Sequence, residues 1–110
     1  MANRHRGEID AELNGRSYTL CLTLGALAEL ESAYGDADLI AIAERFEAGR
    51  IGAADAIKVI GAGLRGAGNA VSNDEVAAMT AEGGAAGFLS IVARLLTATF
   101  APGGPASGNG

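Results

Sequence analysis

The sequence predicts an α+β fold: an N-terminal β-hairpin followed by a bundle of four to five short α-helices, with a disordered C-terminal tail. Three observations carry that prediction. Residues 8–13 and 16–22 alternate apolar and polar side chains on either side of Asn14-Gly15. From Thr23 onward the apolar residues recur at intervals of three and four, the spacing of one face of a helix. After Phe100 the chain holds only Ala, Pro, Gly, Ser and Asn, which supply nothing large enough to bury. The expected organisation is a flexible lead-in over 1–6, one α+β domain over 7–101 and a Gly/Pro-rich tail over 102–110.

The hairpin is the firmest element. Ile9, Ala11 and Leu13 share one face of the first strand, with Glu8, Asp10 and Glu12 on the other. Asn14-Gly15 is the pair that accepts positive φ at both central positions of a type I′ turn. A two-residue turn pairs Leu13 with Arg16, Ala11 with Tyr18 and Ile9 with Leu20, so Tyr18, Leu20 and Leu22 join the apolar face. A lone hairpin is marginal in water, so this face needs a cover. The helix that follows at once is the expected one.

That helix takes Thr23 as its N-cap, presents Leu24, Leu27, Leu30 and Tyr34, and stops at Gly35. Asp36 or Asp38 caps a second helix with Leu39, Ile40, Ile42, Ala43 and Phe46, ending at Gly49. A third begins near Ala53 and carries Ile57, Ile60 and Leu64, with Ala56 and Gly61 near the same stripe. Gly61 and Gly63 each lower helix propensity by roughly 1 kcal/mol against Ala, which points to close packing or a weak helix end. Ser72-Asn73-Asp74-Glu75 is a capping box opening a short fourth helix with Val76 and Met79. Gly83-Gly84 ends it. The last helix, from Ala85, shows Phe88, Leu89, Val92, Leu95, Leu96 and Phe100 with Arg94 as its only charge. It reads first as the central core helix and second as a face that docks a partner.

Composition excludes several function classes. Thirteen acidic against eight basic side chains give a net charge of −5, contrary to the basic face a nucleic-acid binder needs. Arg4-His5-Arg6 is the one basic cluster and reads as an ordinary basic tip. With Cys21 alone, no intramolecular disulfide can form. The chain has neither a run of about 18 apolar residues nor a signal-peptide core, so a soluble cytoplasmic protein is expected. One His and one Cys make no metal site, and Glu31, Asp36 and Asp38 read as caps around a helix junction. Gly61-x-Gly63-x-x-Gly66 matches a dinucleotide fingerprint in letters but lies within a helix instead of between strand and helix. Ser/His/Asp catalysis fails because His5 is on the lead-in and no Ser sits in an elbow motif. Catalytic, cofactor and metal residues are therefore expected to be none, and the partner-binding residues stay unassigned. What remains is surface: two hairpin edges that can receive strands, and the apolar last helix.

The lead Ala2-Asn3-Arg4-His5-Arg6-Gly7-Glu8, the hairpin with Asn14-Gly15, the run Leu22 to Glu31, Leu39 to Phe46, and Val59 to Gly66 resemble the small tail proteins of gene transfer agents. These are phage-like particles of alpha-proteobacteria. The family is grouped with tailed-phage tail assembly chaperones, and in some descriptions it is called a tail tube protein. The similarity spans about residues 2–100. It implies a non-enzymatic assembly protein, with no catalytic residue or cofactor to carry over. The expected role is a chaperone binding the tape-measure or tail tube protein, since a small acidic helical protein can mask the apolar stripe of a long helical chain. The alternative is a structural tail tube component, incorporated in the particle. A small ligand-binding or regulatory protein comes third. Expected partners are thus phage-like tail proteins or further copies of the chain, with no nucleic acid and no membrane.

Overall fold

Both turn residues of the hairpin take positive φ, 55° at Asn14 and 72° at Gly15, as a type I′ turn demands. They join β1 (Glu8–Leu13) to β2 (Arg16–Cys21) in the expected register, with Ile9 opposite Leu20, Ala11 opposite Tyr18 and Leu13 opposite Arg16. The helices follow as α1 (Leu24–Ala33), α2 (Leu39–Glu47), α3 (Ala53–Gly66), α4 (Asn73–Ala77) and α5 (Gly84–Phe100). The computed structural model describes residues 7–100, so the expected lead-in over 1–6 and tail over 102–110 lie outside the described residues. The fold is α+β, a two-stranded antiparallel sheet followed by helices.

Local chemistry explains most of the boundaries. Thr23 caps α1, its hydroxyl accepting from Ala26 N at 3.2 Å. Gly35 and Asp36 both take positive φ, 71° and 66°, and reverse the chain. Asp38 is then the cap of α2, accepting from Ala41 N at 2.8 Å. The capping box of α4 closes as expected: Glu75 accepts from Ser72 N at 2.7 Å, and Ser72 accepts from Glu75 N at 3.1 Å.

The expected cover for the hairpin was α1. The structure places α3 across β2 and α5 along β1, while α1 packs on α3. Glycine decides this. A Cβ on Gly63 would stand 2.6 Å from Leu95 Cδ2 and 3.3 Å from Leu20 Cβ, and one on Gly66 would collide with the Cys21 carbonyl oxygen. Only a helix bare at these positions approaches the strand so closely. Two of the three glycines that imitate a nucleotide motif, Gly63 and Gly66, thus mark where helix meets sheet.

The same geometry makes α3, not α5, the central helix. It buries Asp55, Ala56 and the unbroken run Val59 to Leu64. The last helix buries only Ile91, Val92 and Leu95, with Phe88, Leu96 and Phe100 half-buried. On α1 the buried residues are Ala26 and Leu30, whereas Leu24, expected on the apolar face, is 81% exposed. On α2, Ile42 and Phe46 are buried and Ile40 is 70% exposed. One core cluster unites the inward faces of the hairpin and all five helices. Among the described residues no helix is long and apolar enough to cross a membrane.

Two glycine substitutions separate close packing from helix propensity. Gly66→Ala is expected to lower stability by about 1–3 kcal/mol, because the Cys21 carbonyl cannot move without bending β2. Gly25→Ala, on an exposed turn of α1 with only Thr23 Oγ1 at 4.0 Å, is expected to raise it by up to about 1 kcal/mol. Urea denaturation of the two variants against the parent checks both signs.

Candidate partner-binding surfaces

A buried polar node holds the outer helices in place. Asp55 is the third residue of α3 and only 5% exposed. It accepts from Gly52 N at 2.8 Å, from Arg45 Nη2 at 3.3 Å and from the Tyr34 hydroxyl. Tyr34, just after α1, has two cations near its ring, with Lys58 Nζ 4.6 Å and the Arg45 guanidinium 5.7 Å from its centroid. Phe46 meets the same ring edge-on at 6.0 Å. One carboxylate thus ties α1, α2 and α3 together. Burial works against its ionisation, but the bonds from Tyr34, Gly52 and Arg45 outweigh it and hold the carboxyl below the usual Asp value. Burial, then the bond to Asp55 and its charge, push the Tyr34 hydroxyl far above the ordinary phenol range. Sequence reasoning passed over Asp55. The available signal was an acid three residues after Gly52, at the position that caps a helix start.

The sheet has only two strands, yet its edges are not bare. In a two-residue hairpin the pair flanking the turn exchanges both backbone bonds and the pairs alternate thereafter, so the Asp10 and Thr19 carbonyls face outward. Arg94 of α5 donates to Asp10 O at 2.9 Å, and Asn69 donates to Thr19 O at 2.9 Å. The turn itself is pinned: Asn14 N donates to Thr80 O at 2.8 Å and Thr80 N donates to Asn14 Oδ1 at 2.9 Å. Both edges, expected to receive strands, are therefore interrupted near their middles by side chains of the same molecule.

Apolar surface lies elsewhere. Between α3, α4 and α5 runs a groove of about 260 Å³, lined chiefly by Ile57, Ile60, Val76, Met79, Phe88 and Leu89. It exists because alanines stand where larger side chains would close it, at Ala53, Ala56, Ala77 and Ala85. Leu89 is 43% exposed at this groove. Among the described residues Leu24 and Ile40 are the other large apolar side chains left exposed, and neither lines it. A second recess of about 350 Å³, with a mixed polar and apolar lining, follows β1 with Asp10, Glu12, Glu82 and Arg94 in its wall.

The other residues weighed from sequence have structural places. Arg4, His5 and Arg6 lie outside the described residues. Cys21 is half-buried at the end of β2. Asp38 caps α2 and Asp36 makes the reversal before it, its N–H donating to Glu31 O at 2.7 Å. Gly61 faces Asn73 Oδ1 and the Arg65 guanidinium. Arg65 in turn pairs with Glu29 of α1 and donates to Val71 O at 3.0 Å. Among the described residues no group of three or more His, Cys, Asp or Glu is arranged to hold a metal ion.

The node makes stability depend on pH at both ends of the scale. Asp55 has a lowered folded value, so its contribution is complete above about pH 4 and is lost as the pH falls from there through the lowered folded value. Tyr34 has a raised one, so its contribution is complete below about pH 10 and is lost as the pH rises beyond it. Asp55→Asn is expected to lower stability at neutral pH by about 1–3 kcal/mol and to flatten the acid limb. Urea midpoints between about pH 2.5 and 7 check this, and an acid limb as steep as the parent's contradicts it.

Comparison with known proteins adds the family. No curated protein and no solved structure matches the chain significantly. A family model described as phage tail tube protein, GTA-gp10, matches residues 6–102, nearly the whole chain and every element described above. That description agrees with the resemblance to gene-transfer-agent tail proteins read from the sequence, and it names the tube, so it favours the structural alternative over the expected chaperone. It is a family of structural tail proteins and not a class of enzymes. The chain belongs to the phage tail tube protein family GTA-gp10.

Proposed function

We propose that the protein is a structural subunit of the tube of a phage-like tail, of the gene-transfer-agent type, and that it is incorporated in the particle after synthesis in the cytoplasm. The observation that carries this reading is the family match over residues 6–102. The surface supports it. A tube subunit works by presenting patches to neighbouring subunits, and this molecule carries an apolar groove on one set of elements and exposed apolar side chains on another. Its partners are then other tail proteins, further copies of itself included.

The chaperone role is the second reading. The apolar groove between α3, α4 and α5 favours it, because the apolar stripe of an amphipathic helix can lie in such a channel. A tape-measure protein is the partner that reading requires.

The two differ in where the protein ends up. As a tube subunit it is expected in purified particles in constant proportion to the other tail proteins, read by quantitative mass spectrometry. Its absence from intact particles, with the protein abundant in the producing cells, overturns the structural reading in favour of the chaperone.

A further inference from the structure

We propose that copies of this chain associate head to tail, with the Ile40 face of α2 in one copy seated in the groove between α3, α4 and α5 of the next. The biological setting of this contact rests on the tube-subunit reading above; the contact itself rests on the surface.

Ile40 is 70% exposed near the start of α2. Glu44 and Glu47 follow it at intervals of four and seven, on the same helical row. Both acids are exposed. The result is an apolar projection framed by negative charge. Leu24, exposed but likewise outside the groove, lacks such a frame, since its neighbours one turn on are Leu27 and Ala28.

The groove has the complementary features. At about 260 Å³ it has room for an isoleucine side chain, given that an apolar cavity of about 150 Å³ takes benzene. Ile51, Gly52 and Ala53 line one end, where the Asp55 carboxylate already meets the partial positive charge of the α3 N-terminus. Arg50, exposed and immediately before Ile51, adds a full positive charge. Asp74 and Glu75 precede the lining residues Val76 and Ala77 on the α4 side, which directs an acidic partner toward the Arg50 end. Ile40 is not among the lining residues, so projection and recess are distinct patches of one chain. An association of unlike patches leaves one of each free at its ends, so it repeats until it closes as a ring or continues as a filament. A two-fold pairing of like patches stops at two.

Cross-linking tests this in the full chain, with Cys21→Ala removing the native thiol. Ile40→Cys and Leu89→Cys are made separately and together, then mildly oxidised and resolved on non-reducing gels. Head-to-tail contact predicts little dimer from either single variant, a strong dimer band from their mixture, and a ladder from the double variant. Dimer from Leu89→Cys alone, or from Ile40→Cys alone, at the level of the mixture overturns the proposal, as does no cross-link in any combination. Self-association is read separately by sedimentation. Arg50→Glu is expected to weaken it at least tenfold and Glu44→Arg in the same chain to restore it; no loss, or loss without rescue, removes the charge pairing on which the orientation rests. Head-to-tail cross-links from a protein absent from particles leave the contact standing and remove the tube reading. A protein present in particles whose cross-links come only from single variants removes the contact alone.

Discussion

The approach of α3 to β2 sets the position of every other element. Gly63 and Gly66 present no side chains to the strand, and the helix comes close enough that a methyl group at Gly66 would occupy the place of the Cys21 carbonyl oxygen. Glycine within a helix costs roughly 1 kcal/mol against Ala. The close contact offsets this by excluding water from Leu20, Val59, Ile60 and Leu64, each essentially inaccessible and each contributing about 1.5–3 kcal/mol. Around that axis α5 completes the cover of β1, and α1 is held to α3 by Arg65 and Glu29. The Asp55 node then fixes α2 through Arg45.

Local rules made the hairpin and the helix starts legible in the sequence, but not the end of α4, which stops at Ala77 instead of the expected Gly83-Gly84. Asn14-Gly15 requires positive φ at two residues, strict alternation fixes the register, and Ser72 with Glu75 states where a helix begins. What was not legible concerns the choice of partner. Periodicity identifies an apolar stripe without saying what covers it, so by itself it points to the nearest helix in sequence for the hairpin and to the most apolar helix for the centre. The decisive signal was the glycine spacing in α3, which admits both close packing and a weak end until the strand beside it is known. Leu24 and Ile40 were counted toward the core because spacing cannot distinguish a side chain buried in its own fold from one left for a neighbour. The groove is still less legible, since it arises where alanines of three separate elements meet. Asp55 shows the same limit for polar residues: one acid in a helix gains meaning only when Tyr34 and Arg45 converge on it.

These features give the surface a consistent character. A two-stranded sheet invites strand addition, and here Arg94 and Asn69 occupy an outward carbonyl on each edge. A net charge of −5 keeps copies apart until specific patches meet. Apolar surface is confined to a groove and a few single side chains. For a protein of a tail tube family this is an effective division: backbone pairing, which is indifferent to sequence, is blunted, and association is left to side chains that specify their partner.

The covering of the hairpin by α3 and α5 also orders events in time. β1 and β2 leave the ribosome before the helices that cover them, for the helix over β1 runs to Phe100 and the contact that pins the turn waits for Thr80. At about 5–20 residues per second, the apolar face of the strands stays uncovered for several seconds during synthesis. Its alternating carboxylates, Glu8, Asp10 and Glu12, lie opposite the apolar side chains on the same strand throughout that interval. They act as gatekeepers against premature strand pairing before the native partners exist. The acidity of the first strand thus serves the nascent chain as well as the folded one.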